Sequence, residues 1–138
     1  MASCVTSDCT KFVSGSEDKT AIIWDVQTGA SLHRLVQHAG TVRGLTLTKD
    51  DMFLISISYD NKIKIWSMKT GQCLTTLRSH QRDGTSVVLN SDDSKLFSGS
   101  VDMTVKEWCK NHLLLKIDFV YLEGAATPVY VGKFFTNS

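Results

Sequence analysis

The chain has 138 residues, of which 42% are hydrophobic and 21% charged, and its formal charge is +1. This length predicts about one domain, and the near-balanced charge argues against nucleic acid, whose phosphates attract strongly basic surfaces. No basic stretch precedes an apolar run at the start, and no segment reaches the ~18 apolar residues that span a membrane, so we expect neither a signal peptide nor a membrane span. The four cysteines show no C-x-x-C spacing, which favours reduced thiols in the cytoplasm or the nucleus.

The sequence repeats with a period of 42 residues. Its three tryptophans, Trp24, Trp66 and Trp108, keep this step. The segments around them align without a gap as SGSEDKTAIIWD at 14–25, SISYDNKIKIWS at 56–67 and SGSVDMTVKEWC at 98–109. Such self-similarity is the signature of a repeat architecture.

Each copy is predicted to contain short strands. The third copy departs from the pattern, because Glu107 stands where an apolar residue is expected. Gly29 and Gly71 are predicted to make tight turns, since glycine adopts positive φ without strain. In chain order the predicted strands lie at 12–13, 21–24, 32–35, 42–47, 53–55, 63–66, 73–77, 87–89, 96–97, 105–108 and 113–119.

The period, the strands and the closing tryptophan resemble the WD-repeat family over residues 3 to about 109. The Trp-Asp pair is intact only at Trp24-Asp25. The resemblance implies an all-β fold, a partial β-propeller of about three four-stranded antiparallel blades. We expect a single WD-repeat segment over 1–138, with blades at about 3–36, 42–78 and 84–120, and a tail at 121–138 that contains an extra strand at 129–135.

The same resemblance implies a buried polar network in each blade. The first blade is expected to lack its histidine. The serine could be the first or the second of a pair, Ser56 or Ser58 in blade 2 and Ser98 or Ser100 in blade 3. Apart from Ser58 and Ser100, the implied members are His38, Ser56, Asp60, Trp66, His80, Ser98, Asp102, Trp108, Ser14, Asp18 and Trp24.

A Ser, a His and an Asp could also suggest nucleophilic catalysis. A constellation that recurs in every repeat behaves as structure, however, whereas an active site usually occurs once. We therefore expect no enzyme activity, no catalytic residue, no metal site and no cofactor.

Partner binding is expected on loops, which vary without disturbing the blades. The residues before each turn aspartate and those opening each inner strand are the candidates, and the alternative is that they are ordinary solvated loop residues. Lys62, Lys64 and Lys69 are expected to form a solvated strand face. The candidates are Glu17, Thr41, Arg43, Tyr59, Asp83, Thr85 and Val101.

The expected function is a non-catalytic protein-interaction scaffold or adaptor that binds proteins or peptides. One alternative is the substrate-recognition or regulatory part of a larger enzyme complex such as a ubiquitin ligase. Another is an assembly factor in RNA processing or ribosome biogenesis. Three blades do not close a ring. We therefore expect either a fragment of a longer propeller or a chain that associates with itself through its open blade edges.

Overall fold

The computed structural model describes residues 2–78, 80–110 and 119–121, and within them the chain forms three four-stranded antiparallel sheets. This confirms the predicted fold class, a partial β-propeller of about three blades. Blade 1 contains β1–β4, blade 2 contains β5–β8 and blade 3 contains β9–β12. The strands are β1 (Ala2–Val5), β2 (Lys11–Gly15), β3 (Ala21–Asp25), β4 (Ser31–Leu35), β5 (Val42–Leu47), β6 (Phe53–Ser58), β7 (Lys62–Ser67), β8 (Cys73–Arg78), β9 (Gly84–Leu89), β10 (Lys95–Ser100), β11 (Val105–Lys110) and β12 (Phe119–Tyr121).

Strands adjacent in sequence pair within each blade, and the first strand of each blade lies at the centre of the arc. There β5 contacts both β1 and β9. The turns repeat as well, because Gly29 and Gly71 have φ of +73° and +72°, as predicted. Non-glycine residues adopt positive φ at the same offset in all three blades, at Cys9, Asp51 and Asp93 and again at Lys19, Asn61 and Met103.

The core lies between the blades. We call the side of a blade that carries its tryptophan the leading face, and the opposite side the trailing face. One cluster joins the trailing face of blade 1 to the leading face of blade 2, and the other joins blade 2 to blade 3 in the same way. The first contains Val13, Ala21, Ile23, Leu35, Leu54, Trp66 and Met68, and the second contains Ile55, Ile57, Ile63, Ile65, Leu77, Val87, Leu96 and Trp108.

The structure corrects the expectation for Lys64, and it tests the fourth strand of blade 3 only at the described residues. The fourth strand of blade 3 is Phe119–Tyr121, which pairs with β11 and overlaps the predicted strand at 113–119 only at its last residue. Residues 113–118 and the predicted strand at 129–135 lie outside the described residues. Lys64 is not on a solvated face, since it is buried and its Nζ donates to Thr76 Oγ1 at 2.9 Å. Blade 2 packs against a neighbouring blade on each of its faces, so alternation along β7 does not bring Lys64 to solvent.

Glu107 occupies the trailing face of blade 3, where blades 1 and 2 place Ile23 and Ile65. Its carboxylate pairs with Lys95 Nζ at 2.9 Å.

Among the residues that the structure describes, no helix is long and apolar enough to cross a membrane.

Candidate functional site

A continuous chain of hydrogen bonds links four side chains of blade 2. Asp60 Oδ2 accepts from His38 Nδ1 at 2.7 Å, and His38 Nε2 lies 2.7 Å from Ser56 Oγ. Trp66 Nε1 donates to the same Ser56 Oγ at 2.8 Å. A carboxylate only accepts and an indole only donates, so His38 Nδ1 carries a proton, and Ser56 Oγ accepts from Trp66 while it shares a hydrogen bond with His38 Nε2. Ser58, the alternative serine, instead donates to Gly40 O at 2.8 Å.

Blade 3 repeats the arrangement. His80 Nδ1 lies 2.9 Å from Asp102 Oδ2, His80 Nε2 lies 2.9 Å from Ser98 Oγ, and Trp108 Nε1 donates to Ser98 Oγ at 3.0 Å. Sequence reasoning missed Thr104, whose hydroxyl donates to Asp102 Oδ1 at 2.5 Å. The signal was present, because Thr20 follows its aspartate at the same spacing in blade 1.

Blade 1 does not assemble the whole set. Trp24 Nε1 donates to Ser14 Oγ at 2.9 Å, as in the other blades. Asp18 is exposed, however, and its carboxylate bonds to the backbone and hydroxyl of Thr20 rather than to a histidine. Its other contact is Arg34 at 3.8 Å, between two exposed side chains. The structure therefore joins Ser14 to Trp24 and leaves Asp18 apart from both.

The surroundings of the two half-buried network aspartates, Asp60 and Asp102, keep them ionised. Burial would raise the pKa of Asp60, but donors from His38 and from the backbone of Ala39 and Lys62 outweigh it and lower the pKa to about 2. Burial likewise opposes ionisation of Asp102, and donors including Thr104 and His80 lower its pKa to about 2.

The pKa of His80 in blade 3 is lowered as well, and for an imidazole a lowered pKa favours the neutral form. Burial lowers the pKa of His80, and it outweighs the attraction of Asp102, which would raise it. His80 is therefore held neutral more readily than a free imidazole.

This arrangement stabilises loops and does not expose a nucleophile. Ser56 and Ser98 are both 0% exposed, so no substrate reaches either hydroxyl. Each hydroxyl is also bonded to an indole and an imidazole. Asp60 Oδ2 additionally accepts from Ala39 N at 2.9 Å, which fixes the loop between β4 and β5. Among the residues that the structure describes, no three His, Cys, Asp or Glu side chains are grouped to hold a metal ion.

All the candidate partner-binding residues lie at one end of the strands. The residue pairs Gly15–Ala21, Ile57–Ile63 and Ser100–Gly84 close the strand pairings at this end of blades 1, 2 and 3. The loops that carry the candidates begin directly beyond them. Glu17, Arg43, Tyr59 and Val101 are exposed there, and Thr41, Asp83 and Thr85 are half-buried. The last three also support the loops, because Tyr59 N donates to Thr41 O, Val101 N to Asp83 O and Thr85 Oγ1 to Gly99 O.

Two of these residues stand at matching β-bulges. The pairing of β5 with β6 shifts between Val42 and Gly44, and that of β9 with β10 shifts beside Gly99 and Ser100. Arg43 and Thr85 are the extra residues, and a bulge re-aims the side chain that it carries. Arg43 Cζ lies 5.5 Å from the centre of the Tyr59 ring, within the range of a cation–π interaction.

Sequence reasoning also missed a latch between blades at the opposite end. Asp51 Oδ2 accepts from Ser7 N at 2.9 Å and from the Ser7 hydroxyl. Asp93 Oδ2 accepts from Lys49 N at 2.6 Å in the same way, one blade further on. Cys9 is the equivalent residue of blade 1 at the 42-residue period.

These features define an arc of a β-propeller with a polar network repeated in blades 2 and 3. Three stretches of the chain, residues 2–25, 29–67 and 71–109, match the family described as WD domain, G-beta repeat. The stretches cover most of the sequence, and the chain belongs to this WD40 family. Domains of this family generally bind other proteins or peptides and are generally not catalytic. A search of curated proteins found none that matches this chain.

The family repeat and the blade are out of phase. The second match, 29–67, contains β4 of blade 1 together with β5, β6 and β7 of blade 2. One sequence repeat therefore ties two neighbouring blades together covalently, and it places His38 on the connection between them.

Proposed function

We propose that this chain is a non-catalytic scaffold that binds a protein or peptide at the strand end carrying Arg43 and Tyr59. The observation that carries the proposal is that these two exposed side chains contact each other, with Arg43 Cζ 5.5 Å from the centre of the Tyr59 ring. Tyrosine and arginine are typical anchors of protein interfaces. Here they stand side by side before any partner arrives.

The backbone beneath this pair is held firmly. Ser58 bonds to Gly40 O and accepts from Asp60 N at 3.1 Å, so Tyr59 lies between two anchored residues. A Cβ on Gly40 would lie 2.8 Å from Asp60 N, which shows how closely the two loops pack. A preorganised surface loses less conformational entropy on binding, and this supports a recognition role for it.

Site-directed photo-crosslinking tests the proposal. A crosslinker at position 101, which is exposed at the same strand end as Tyr59, should capture partner proteins that a crosslinker at position 69, at the opposite strand end, does not. The double variant Arg43→Ala and Tyr59→Ala should lose those partners, and Lys69→Ala should keep them. Since Tyr59 is exposed, Tyr59→Ala should change the unfolding free energy by less than ~1 kcal/mol. Capture that is unaffected by the double variant would contradict the proposed site.

We also propose that the leading face of blade 1 associates with the same face of a second copy. Val5, Phe12, Trp24 and Val26 line an open cavity of about 660 Å³ there, and Val5 and Val26 are each 52% exposed. Blade 2 buries the equivalent face against blade 1, so this surface has the shape and chemistry of an interface. Two identical faces meet most simply about a two-fold axis.

Light scattering tests this association. The chain should have an apparent mass above its 15.3 kDa monomer. Phe12→Asp should return it towards the monomer, whereas Val36→Asp, an exposed residue outside the face, should not. A clean monomer with a sharp melt would refute the proposal.

We propose the cytoplasm or the nucleus as the place of action, because the cysteine spacing favours reduced thiols. Imaging of a fluorescent fusion checks this, and secretion into the medium would contradict it.

A further inference from the structure

A cleft lies at the centre of the arc, between the first strands of the three blades. Its volume is about 220 Å³. Small-molecule sites commonly occupy ~300–1,000 Å³, so this cleft is better matched to a single side chain. Its lining residues are Ala2, Ser3, Arg43, Gly44, Leu45, Thr85, Ser86 and Val87.

The cleft has one charge and several hydroxyls. Arg43 is the charged residue among the described residues that line it, and Ser3, Thr85 and Ser86 supply the hydroxyls. None of the ion pairs formed by the described part of the chain involves Arg43. The Tyr59 ring interacts with the guanidinium through its π face, which leaves N–H groups free to donate.

Beside the cleft, the close approach of β5 to β9 depends on the absence of a side chain at Gly44. A Cβ there would lie 2.7 Å from Ile57 Cγ2 and 3.3 Å from Val87 N. Leu45 and Val87 add apolar wall beside the charged group. An ion pair formed next to such a wall is less screened by water than one on an open surface.

We propose that this cleft binds the carboxylate of an aspartate or glutamate side chain of a partner protein. This rests on the proposed function, and it names the chemistry that the partner presents. One guanidinium balances one carboxylate, with the hydroxyls as further donors. A phosphate carries a charge of about −1.5 to −2 and is usually met by a cluster of arginines, which the described lining residues do not provide.

Selection from a displayed library of random 12-residue peptides tests the inference on the whole chain. Peptides that bind through this site should share one acidic position. The Arg43→Glu variant should bind them about tenfold more weakly or worse, as expected for an interface anchor. Lys69→Glu makes the same charge change at the other strand end and should bind them as the wild type does.

The outcomes separate the two proposals. Peptides that depend on Arg43 and Tyr59 but share no acidic position would refute the recognition of a carboxylate and would leave the proposed binding site intact. Acidic peptides that bind the Arg43→Glu variant as well as the wild type would also refute it, because their acidic residue would then be bound by a group other than Arg43. Peptides that depend on neither residue would overturn the proposed function itself. A phosphoserine at the shared position that binds more tightly than the acidic residue would replace carboxylate by phosphate.

Discussion

Blades 1 and 2 present the same sheet face to different surroundings. In blade 2, Leu54, Trp66 and Met68 are 0%, 1% and 4% exposed, because they pack on the trailing face of blade 1. At the equivalent positions of blade 1, Phe12 is 38% and Val26 52% exposed. The burial of this face is therefore produced by the neighbouring blade. The stability of a repeat is in large part the stability of its interface.

The polar network shows the same dependence. Asp60 receives its imidazole from His38, which lies on the connection from blade 1. Asp18, at the equivalent position of blade 1, has Thr20 as its partner and stays exposed. A preceding blade thus supplies both the apolar cover and the histidine.

The largest expected effect on the unfolding free energy comes from a pair of tryptophan substitutions that compare the two blades. Trp66→Ala should lower the unfolding free energy by ~3–5 kcal/mol, the range for a fully buried aromatic residue. At a chain concentration low enough for light scattering to give the monomer, Trp24→Ala should lower it by about half of that or less, because part of the Trp24 ring is exposed to water in the single chain. Urea unfolding measures both. Equal losses would mean that the leading face of blade 1 is covered in solution.

Acid should weaken the fold through the two complete networks. The pKa of Asp60 and of Asp102 is about 2 in the folded state, below the ~3.9 of an unfolded aspartate. Each carboxylate therefore stabilises the fold above about pH 4, and this stabilisation is lost as the pH falls towards 2. The lowered pKa of His80 acts in the same direction, because unfolding lets the imidazole take up a proton below about pH 6.5.

Unfolding free energies measured from pH 8 to pH 2 check this dependence. Stability should be level above about pH 7 and should then fall in two stages, the first from His80 and the second from the aspartates. Asp60→Asn should flatten part of the second stage. Glu17→Gln, which removes an exposed carboxylate at the same strand end, should leave the curve unchanged in shape. A curve that is flat down to pH 3 would disagree with both assignments.

Removal of the aspartate side chain should have a smaller effect than the tryptophan substitution. Asp60→Ala leaves the buried His38 Nδ1 without its acceptor, at ~1–3 kcal/mol, whereas the amides of Ala39 and Lys62, which also bond to Asp60, lie nearer the surface where water can replace the carboxylate. Asp18→Ala should lose ~1 kcal/mol or less, since its hydrogen bonds to Thr20 are replaced by water. Thermal melts of the two variants give the contrast. An unchanged melt of Asp60→Ala would show that the buried network does not stabilise blade 2.

The sequence predicted the features that recur at the 42-residue period. The resemblance to the WD-repeat family placed Trp66, His38 and Asp60 together, and the 42-residue period carried the same set over to blade 3. The period could not show which blade lacks a neighbour's cover, and Asp18 was therefore expected in a network that the structure does not assemble. Lys64 was misjudged for a related reason, since strand alternation predicts a solvated face only where no other blade packs on it.

Contacts between blades were the hardest to predict. Asp51 and Asp93 stand at the same offset in the sequence, and their repetition was a usable signal. Their bonds, however, reach residues 44 positions earlier, and only the packed arc brings those turns together. The bulge at Arg43 was equally hard to predict. The sequence indicated an arginine suited to an interface, but it did not show that this side chain lines the central cleft.

The smallest predicted effect isolates the latch between turns. Asp51 and Cys9 occupy equivalent positions with a φ of 59° in both, so glycine suits either backbone. Asp51→Gly removes the acceptor of two hydrogen bonds from Ser7, whereas Cys9→Gly removes no such bond. We expect Asp51→Gly to be more destabilising than Cys9→Gly by ~1 kcal/mol, the usual net contribution of exposed hydrogen bonds. Hydrogen exchange at the Ser7 amide should rise in the first variant only. If the two variants unfold alike and Ser7 stays protected, the blades are held together by their apolar faces, and the aspartate adds nothing.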